Sequence, residues 1–178
     1  LIALKLNQDD MLEWVRPSSG KDDIMLITAE GQAIRFKEND VRAMGRTASG
    51  VRGLRIKSDD AIVGMDVVSP ELVKKKVLEL LVVAEHGLGK RTLVEEYKVQ
   101  GRGGSGIKTM SVTDKTGRII HARVINNTET QDLMLISTKG QVVRTPLQSI
   151  STLGRATQGV RIMRFKEEGD KVAGMTLL

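Results

Sequence analysis

Short stretches of alternating apolar and polar residues, broken by acidic or glycine-bearing turns, run along the whole chain. Residues 24–28 form a short apolar run that stops at Glu30-Gly31, and residues 32–37 follow at the spacing of a hairpin partner. A longer polar loop, 38–50, leads into the alternating Val51-Arg52-Gly53-Leu54-Arg55-Ile56. An Asp59-Asp60 turn then introduces residues 61–68. The period of two predicts four strands in this unit. Residues 1–16 match only its second half: Ile2-Ala3-Leu4-Lys5-Leu6, an Asp9-Asp10 turn, then 11–15. They predict the closing strands of a preceding unit, in a chain that continues upstream. Residues 71–80 have some helical character and a basic run, Lys74-Lys75-Lys76, and are expected to link two units.

The same pattern recurs. Gly31-Gln32-Ala33-Ile34-Arg35 lies over Gly140-Gln141-Val142-Val143-Arg144, a shift of 109 (140 − 31). At that shift Ile24-Met25-Leu26-Ile27 meets Leu133-Met134-Leu135-Ile136, and Gly50-Val51-Arg52 meets Gly159-Val160-Arg161. A middle copy fits at a shift of 56 (87 − 31), with Gly87 on Gly31 and Gly106-Ile107-Lys108 on Gly50-Val51-Arg52. Units of about 50 residues are typical of propeller blades and other arrays. We therefore expect an all-β, propeller-like array of four-stranded blades in one domain, 1–178, with blades at 22–68, 79–127 and 131–178. WD and kelch signatures are absent, and Trp14 is the one tryptophan. A strand-rich solenoid is the alternative.

Composition narrows the partner. Lysine and arginine exceed aspartate and glutamate by 28 to 22, for a formal charge of +6, which suits a polyanion. Aromatic residues are 2%, which argues against reading single strands by base stacking. No cysteine is present, which excludes disulfides and thiolate metal sites and fits a reducing, cytoplasmic setting. No apolar run reaches the roughly 18 residues that span a bilayer.

Few residues suggest catalysis. Gly101-Arg102-Gly103-Gly104-Ser105-Gly106 fits G-x-G-x-x-G, but Ile107 to Val112 alternate like a strand where a nucleotide site needs a helix. Gly89-Lys90-Arg91-Thr92 resembles the end of a P-loop, but Ala84 occupies the required upstream glycine position. His86, at a hairpin turn, and His121 have no histidine or cysteine partners for a zinc set. Tyr97 is expected to pack in a strand before the glycine-rich loop. Ile24, Leu26, Val82, Leu133 and Leu135 are expected in the core.

The basic residues recur in register. Arg35, Arg91 and Arg144 form one row, Arg46, Arg102 and Arg155 a second, and Arg52, Lys108 and Arg161 a third. Equivalent residues of successive blades fall along one curved surface, which suits a phosphate backbone read without sequence preference. Such a row along a convex rim implies a bent duplex. Structural arginines within a protein–protein scaffold are the alternative reading of the same rows. A propeller with chemistry in its channel is a third, but no paired acids or histidines recur in register to support it.

Val41-Arg42-Ala43-Met44-Gly45-Arg46 followed by Gly50-Val51-Arg52-Gly53-Leu54-Arg55 resembles the C-terminal domain of DNA gyrase A. So do Gly87-Leu88-Gly89-Lys90-Arg91-Thr92 with Glu96-Tyr97, and Ile150-Ser151-Thr152-Leu153-Gly154-Arg155 with Thr157-Gln158-Gly159-Val160. The resemblance covers the whole chain and implies the last three blades of a β-pinwheel whose basic rim wraps duplex DNA. It also implies a parent ATP-dependent topoisomerase that introduces negative supercoils. ATP, Mg and the catalytic tyrosine would then lie outside this non-catalytic segment, which would hold no cofactor of its own. The implied partners are DNA, the rest of a homodimeric gyrase A, and gyrase B. The corresponding protein of topoisomerase IV has a similar domain. The gyrase A box, Gln-Arg-Arg-Gly-Gly-Lys-Gly, has a degenerate counterpart in Gln100-Gly101-Arg102-Gly103-Gly104-Ser105-Gly106, where Gly101 and Ser105 replace two basic residues.

Overall fold

A computed structural model describes residues 1–178. Eleven strands and one short helix follow in chain order: β1 (Asp23–Thr28), β2 (Gln32–Lys37), β3 (Ile62–Val68), α1 (Pro70–Lys74), β4 (Leu78–Ala84), β5 (Leu88–Leu93), β6 (Ile107–Lys108), β7 (Ile119–Asn126), β8 (Asp132–Ser137), β9 (Val142–Pro146), β10 (Val160–Arg161) and β11 (Val172–Leu177). They form three antiparallel sheets ordered β3-β1-β2-β6, β10-β5-β4-β7 and β11-β8-β9. The all-β array of four-stranded blades is as expected. The sheets do not close into a ring, and the third has three strands.

The origin of the outer strand differs from expectation. Residues 51–56, read as the third strand of their own unit, form no strand. The outer strand of the first sheet is β6, from the following unit, with Gln32 opposite Lys108 and Ala33 opposite Ile107. The second sheet likewise takes β10 from the third unit, with Gly89 opposite Val160. Each of these two blades is thus completed by its successor. Residues 53–55 lie instead along the loop that precedes β6, where the Gly103 N–H donates to Gly53 O at 2.8 Å and the Arg55 N–H to Gly104 O at 2.9 Å. Alternation marks a segment as able to form a strand but does not name its partner.

Residues 1–16 also lack the expected strands. The Lys5 N–H donates to Ala48 O, which reproduces the Arg55–Gly104 bond one unit earlier. The linker helix is shorter than 71–80. Ser69 caps it by accepting from the Leu72 N–H, Pro70 supplies the first turn, and Leu78 already belongs to β4. Tyr97 follows a 3-10 turn rather than lying in a strand, and it is buried.

Burial explains the apolar run Leu80 to Ala84 in β4, whose seven residues, Glu79 among them, are all buried. Leu80, Val82 and Ala84 face the first sheet and pack with Met25, Ile27, Ala33 and Val68. Leu81 and Val83 face the third sheet and pack with Leu133, Leu135 and Leu147. A strand covered on both faces needs no polar alternation. Leu133 and Leu135 are buried, while Ile24 and Leu26 are half-buried around Ile34, Phe36 and Leu54. Strand β3 packs against β7 and β7 against β11. The edges carrying β6 and β10 lie at the opposite side of the first two sheets. No helix is long and apolar enough to cross a membrane.

Candidate nucleic-acid interface

The three basic rows have different surroundings. Each arginine of the first row pairs with a carboxylate on the adjacent strand, 12 residues earlier: Arg35 with Asp23 at 2.7 Å, Arg91 with Glu79 at 2.9 Å, Arg144 with Asp132 at 2.6 Å. Two of them also reach the next unit. Arg35 Nη1 donates to Tyr97 O at 3.3 Å, and Arg91 Nε donates to Ile150 O at 2.8 Å. The backbone repeats the joint, since the Gln100 N–H donates to Arg35 O and the Leu153 N–H to Arg91 O. Arg35 is buried and Arg91 nearly so, whereas the Arg144 side chain is 63% exposed. The geometry engages Arg35 and Arg91 in holding consecutive units together.

The second and third rows contain no ion pair. Arg46, Arg52, Lys108 and Arg161 are exposed, while Arg102 and Arg155 are half-buried. What the structure brings together is the second row of one unit and the third row of the unit before. Arg102 Nη1 donates to the carbonyl oxygen of Arg52 at 2.7 Å, and Arg155 Nη1 donates to that of Lys108 at 3.1 Å. Arg102 also donates to Asp40 O, and Arg161 to His86 O. At each of two seams on the outer edge, a guanidinium of the second row therefore sits against the backbone of a third-row residue. Strand exchange causes this, because β6 and the loop before it carry Arg102 and Lys108 onto the first sheet. Arg46 lies beside the N-terminal segment, near Ile2 and Leu4.

Charge elsewhere is arranged for folding. At the hairpin-turn end of the sheets, Arg118 bridges to Glu30 at 2.8 Å, and Lys171 to Glu85 at 2.5 Å, again between units. The Lys171 bond holds the Glu85 carboxyl below its ordinary range, against partial burial. Burial opposes ionisation of Asp170, yet hydrogen bonds from Ser137, Thr138 and the Lys139 and Lys171 N–H groups hold its carboxyl down at about 2. Burial pushes the Tyr97 phenol up to about 12, against its hydrogen bond to Thr109. Burial likewise lowers His121, whose ring faces a cleft beside Trp14 and Arg123. The His86 ring lies 3.0 Å from Asp114 O. No group of three or more histidines, cysteines or carboxylates that could hold a metal ion stands together.

The acidic partners of the first row are missed by the sequence pattern of basic rows, although Asp23, Glu79 and Asp132 recur at the same shifts as the arginines. Lys90 is missed too. It is fully buried in β5, at the position of Ile34 and Val143, and its break from the repeat is the available signal.

Consecutive sheets, two of them finished by a strand from the successor, define a propeller-like repeat protein with unpaired cations along its outer edge. The chain belongs to the DNA gyrase C-terminal domain, beta-propeller family, whose model matches residues 22–69, 78–126 and 131–178. It is 42% identical to the DNA gyrase A protein of Staphylococcus epidermidis over 164 residues, which are 92% of this chain and 18% of that protein. To the DNA gyrase A protein of Staphylococcus aureus it is 40% identical over 167 residues, 94% of the chain and again 18% of the relative. The chain thus spans under a fifth of these relatives. In fold it is similar to a DNA gyrase A C-terminal domain (TM-score 0.81, 24% identity, 98% of this chain and 57% of the other). It is also similar to the C-terminal domain of a DNA topoisomerase IV (TM-score 0.87, 22% identity, 99% and 52%).

Proposed function

We propose that this segment binds duplex DNA without sequence preference and bends it around the outer edge, as the wrapping arm of a gyrase A protein. One observation carries the reading. Every arginine side chain of the first row is ion-paired to a carboxylate, whereas no charged side chain of the second and third rows is. Cations left without partners and gathered at seams suit phosphates spaced along a curved backbone. The DNA-contact set on this reading is Arg46, Arg52, Arg102, Lys108, Arg155 and Arg161, with Arg144 as an exposed addition.

Arg35 and Arg91 favour the scaffold alternative for their own row, since burial and ion pairing occupy their guanidinium groups. The proposal therefore assigns them to the joints rather than to DNA. The parent enzyme would supply ATP, Mg and strand passage, and with them negative supercoiling, in a homodimer joined by gyrase B. In that assembly this segment contributes the path of the DNA and no reacting group.

The test is duplex binding across a salt series, for the chain and for Arg102→Ala/Lys108→Ala/Arg155→Ala. Each lost phosphate contact lowers the slope of log affinity against log salt by about 0.9. A slope unchanged in the triple variant sinks the proposed edge. Binding that is insensitive to salt in the unsubstituted chain sinks the DNA reading altogether.

A further inference from the structure

Under the outer edge of the second sheet lies a cation that belongs to none of the three rows. The Lys90 ammonium donates to Gly154 O and Arg155 O, each at 2.6 Å, and to Thr157 Oγ1 at 3.0 Å. All three acceptors lie on one turn of the following unit, 154–157. The same turn is pinned from the side, where Thr92 Oγ1 donates to Leu153 O at 2.8 Å and the Arg155 N–H donates to Glu96 Oε2 at 3.3 Å. The first sheet is built differently. Ile34 and Phe36 stand at the positions of Lys90 and Thr92 and bury with Leu54 in an apolar cluster. Hydrocarbon therefore suffices at this position to fill the blade. A buried ammonium carries a desolvation cost that Ile34 avoids, and what it adds is direction: three donors aimed at one turn.

We propose that Lys90 is a positioning residue of the outer edge, which bolts the turn 154–157 to the second sheet and so sets where Arg155 presents its guanidinium. The final step, presentation to DNA phosphate, rests on the function proposed above; the bolt itself does not. The charged groups that act on Lys90 are Glu96 from the turn after β5 and Arg155 from the bolted turn, and Arg155 in turn sits 6.0 Å over the ring of Tyr97. Burial pushes the Lys90 amine down to about 8, with Glu96 pulling upward and Arg155 adding to the push. A neutral amine has two hydrogens to donate instead of three. The bolt therefore weakens as pH rises through that value.

The experiment uses the full chain, its Lys90→Met and Arg155→Ala variants, and the double variant. Hydrogen-exchange protection of amides 153–158 is read without DNA, and duplex affinity is read from pH 7 to 9. Lys90→Met lowers protection of that turn by about tenfold, the worth of one charge-assisted hydrogen bond. It leaves the equivalent turn 100–105 unchanged. It weakens duplex binding by the same factor as Arg155→Ala, and the double variant binds no more weakly than either single one. Affinity of the unsubstituted chain falls as pH passes about 8, while that of Lys90→Met stays flat. Unchanged protection in folded Lys90→Met, or losses of affinity that multiply in the double variant, would overturn the proposal. If Lys90→Met fails to fold, the unsubstituted chain decides, because protection factors for 153–158 that do not fall between pH 7 and 9 refute the bolt. Lost protection with affinity untouched in both single variants overturns the DNA step and leaves the bolt standing.

Discussion

Replacing Arg91 with alanine removes a guanidinium that serves two units at once. The Arg91 and Glu79 side chains are 11% and 4% exposed, so the substitution leaves a carboxylate with little water to solvate it. Thr152 Oγ1 still donates to Glu79 at 2.9 Å, but Ile150 O loses its 2.8 Å donor from the arginine. Breaking a buried ion pair from one side costs about 3–5 kcal/mol, a large share of the roughly 5–15 kcal/mol that holds a typical domain together. Arg144→Ala supplies the internal control, because it removes the same residue type from the same repeat position. There the side chains are 63% and 26% exposed, and an exposed pair is worth about 0–1 kcal/mol. Urea unfolding followed by far-ultraviolet circular dichroism measures both. Adding Glu79→Gln to Arg91→Ala should recover part of the loss, since it removes the stranded charge. A loss for Arg91→Ala within about 1 kcal/mol of that for Arg144→Ala would refute the joint, which the size of an exposed pair sets as the threshold.

The strand exchange and the acid limit can be probed in the same way. Gly106 and Gly159 hold φ near +73° and +80°, and a Cβ at either would come within 2.6 Å of the Ala33 or Gly89 carbonyl oxygen. Gly50, at the same repeat position with φ +85°, has open space around it. Alanine at Gly50 should cost about 1–2 kcal/mol of left-handed strain alone. At Gly106 or Gly159 it should cost clearly more, and equal melting temperatures for the three variants would contradict the pairing. The depressed Asp170 carboxyl stabilises the fold fully above its ordinary value near 3.8, and this contribution drains away as pH falls towards about 2. Stability measured from pH 5 to 2.5 should fall less steeply for Asp170→Asn than for the unsubstituted chain, and parallel curves would reject the assignment.

What can be read from the sequence is what is decided locally. The hairpin of β1 and β2 is set by a short apolar run and by Gly31, whose φ of +80° suits a tight turn, and all of these signals lie within 15 residues. The destination of Ile107-Lys108 is not local. Its partner Ala33-Gln32 lies in the preceding unit, across an entire β4–β5 hairpin, and alternation does not encode which sheet a strand joins. Residues 1–16 expose the same gap from the other side. Their pattern matches strand-forming segments, yet they form no strand, because alternation marks a capacity to pair and not a partner. The three rows are visible in the sequence as rows, and it is carboxylate pairing together with burial that sets Arg35 and Arg91 apart from the other two rows. Lys90 escapes a search for what recurs, because the repeat marks it only by its difference from Ile34 and Val143.

How the fold allocates its acids says more about the edge than the count of bases does. Twenty-two acidic residues are available, and the fold places them selectively: Asp23, Glu79 and Asp132 on the joints, Glu30 and Glu85 on the hairpin-turn end. None forms an ion pair with Arg52, Arg102, Lys108 or Arg155. Arg102 and Arg155 bond instead to the backbone carbonyls of Arg52 and Lys108. Folding alone gains nothing from the charge of either guanidinium, since a neutral donor such as glutamine could make the same carbonyl bond. A polyanion would give that charge a partner at every seam. Each of the two seams joins the third row of one unit to the second row of the next. For a duplex, bending 20–30 base pairs costs on the order of 1–6 kcal/mol, so binding must draw on several seams together. Loss of a single seam should therefore reduce wrapping more than it reduces binding, and a DNA circularisation assay on Arg102→Ala separates the two.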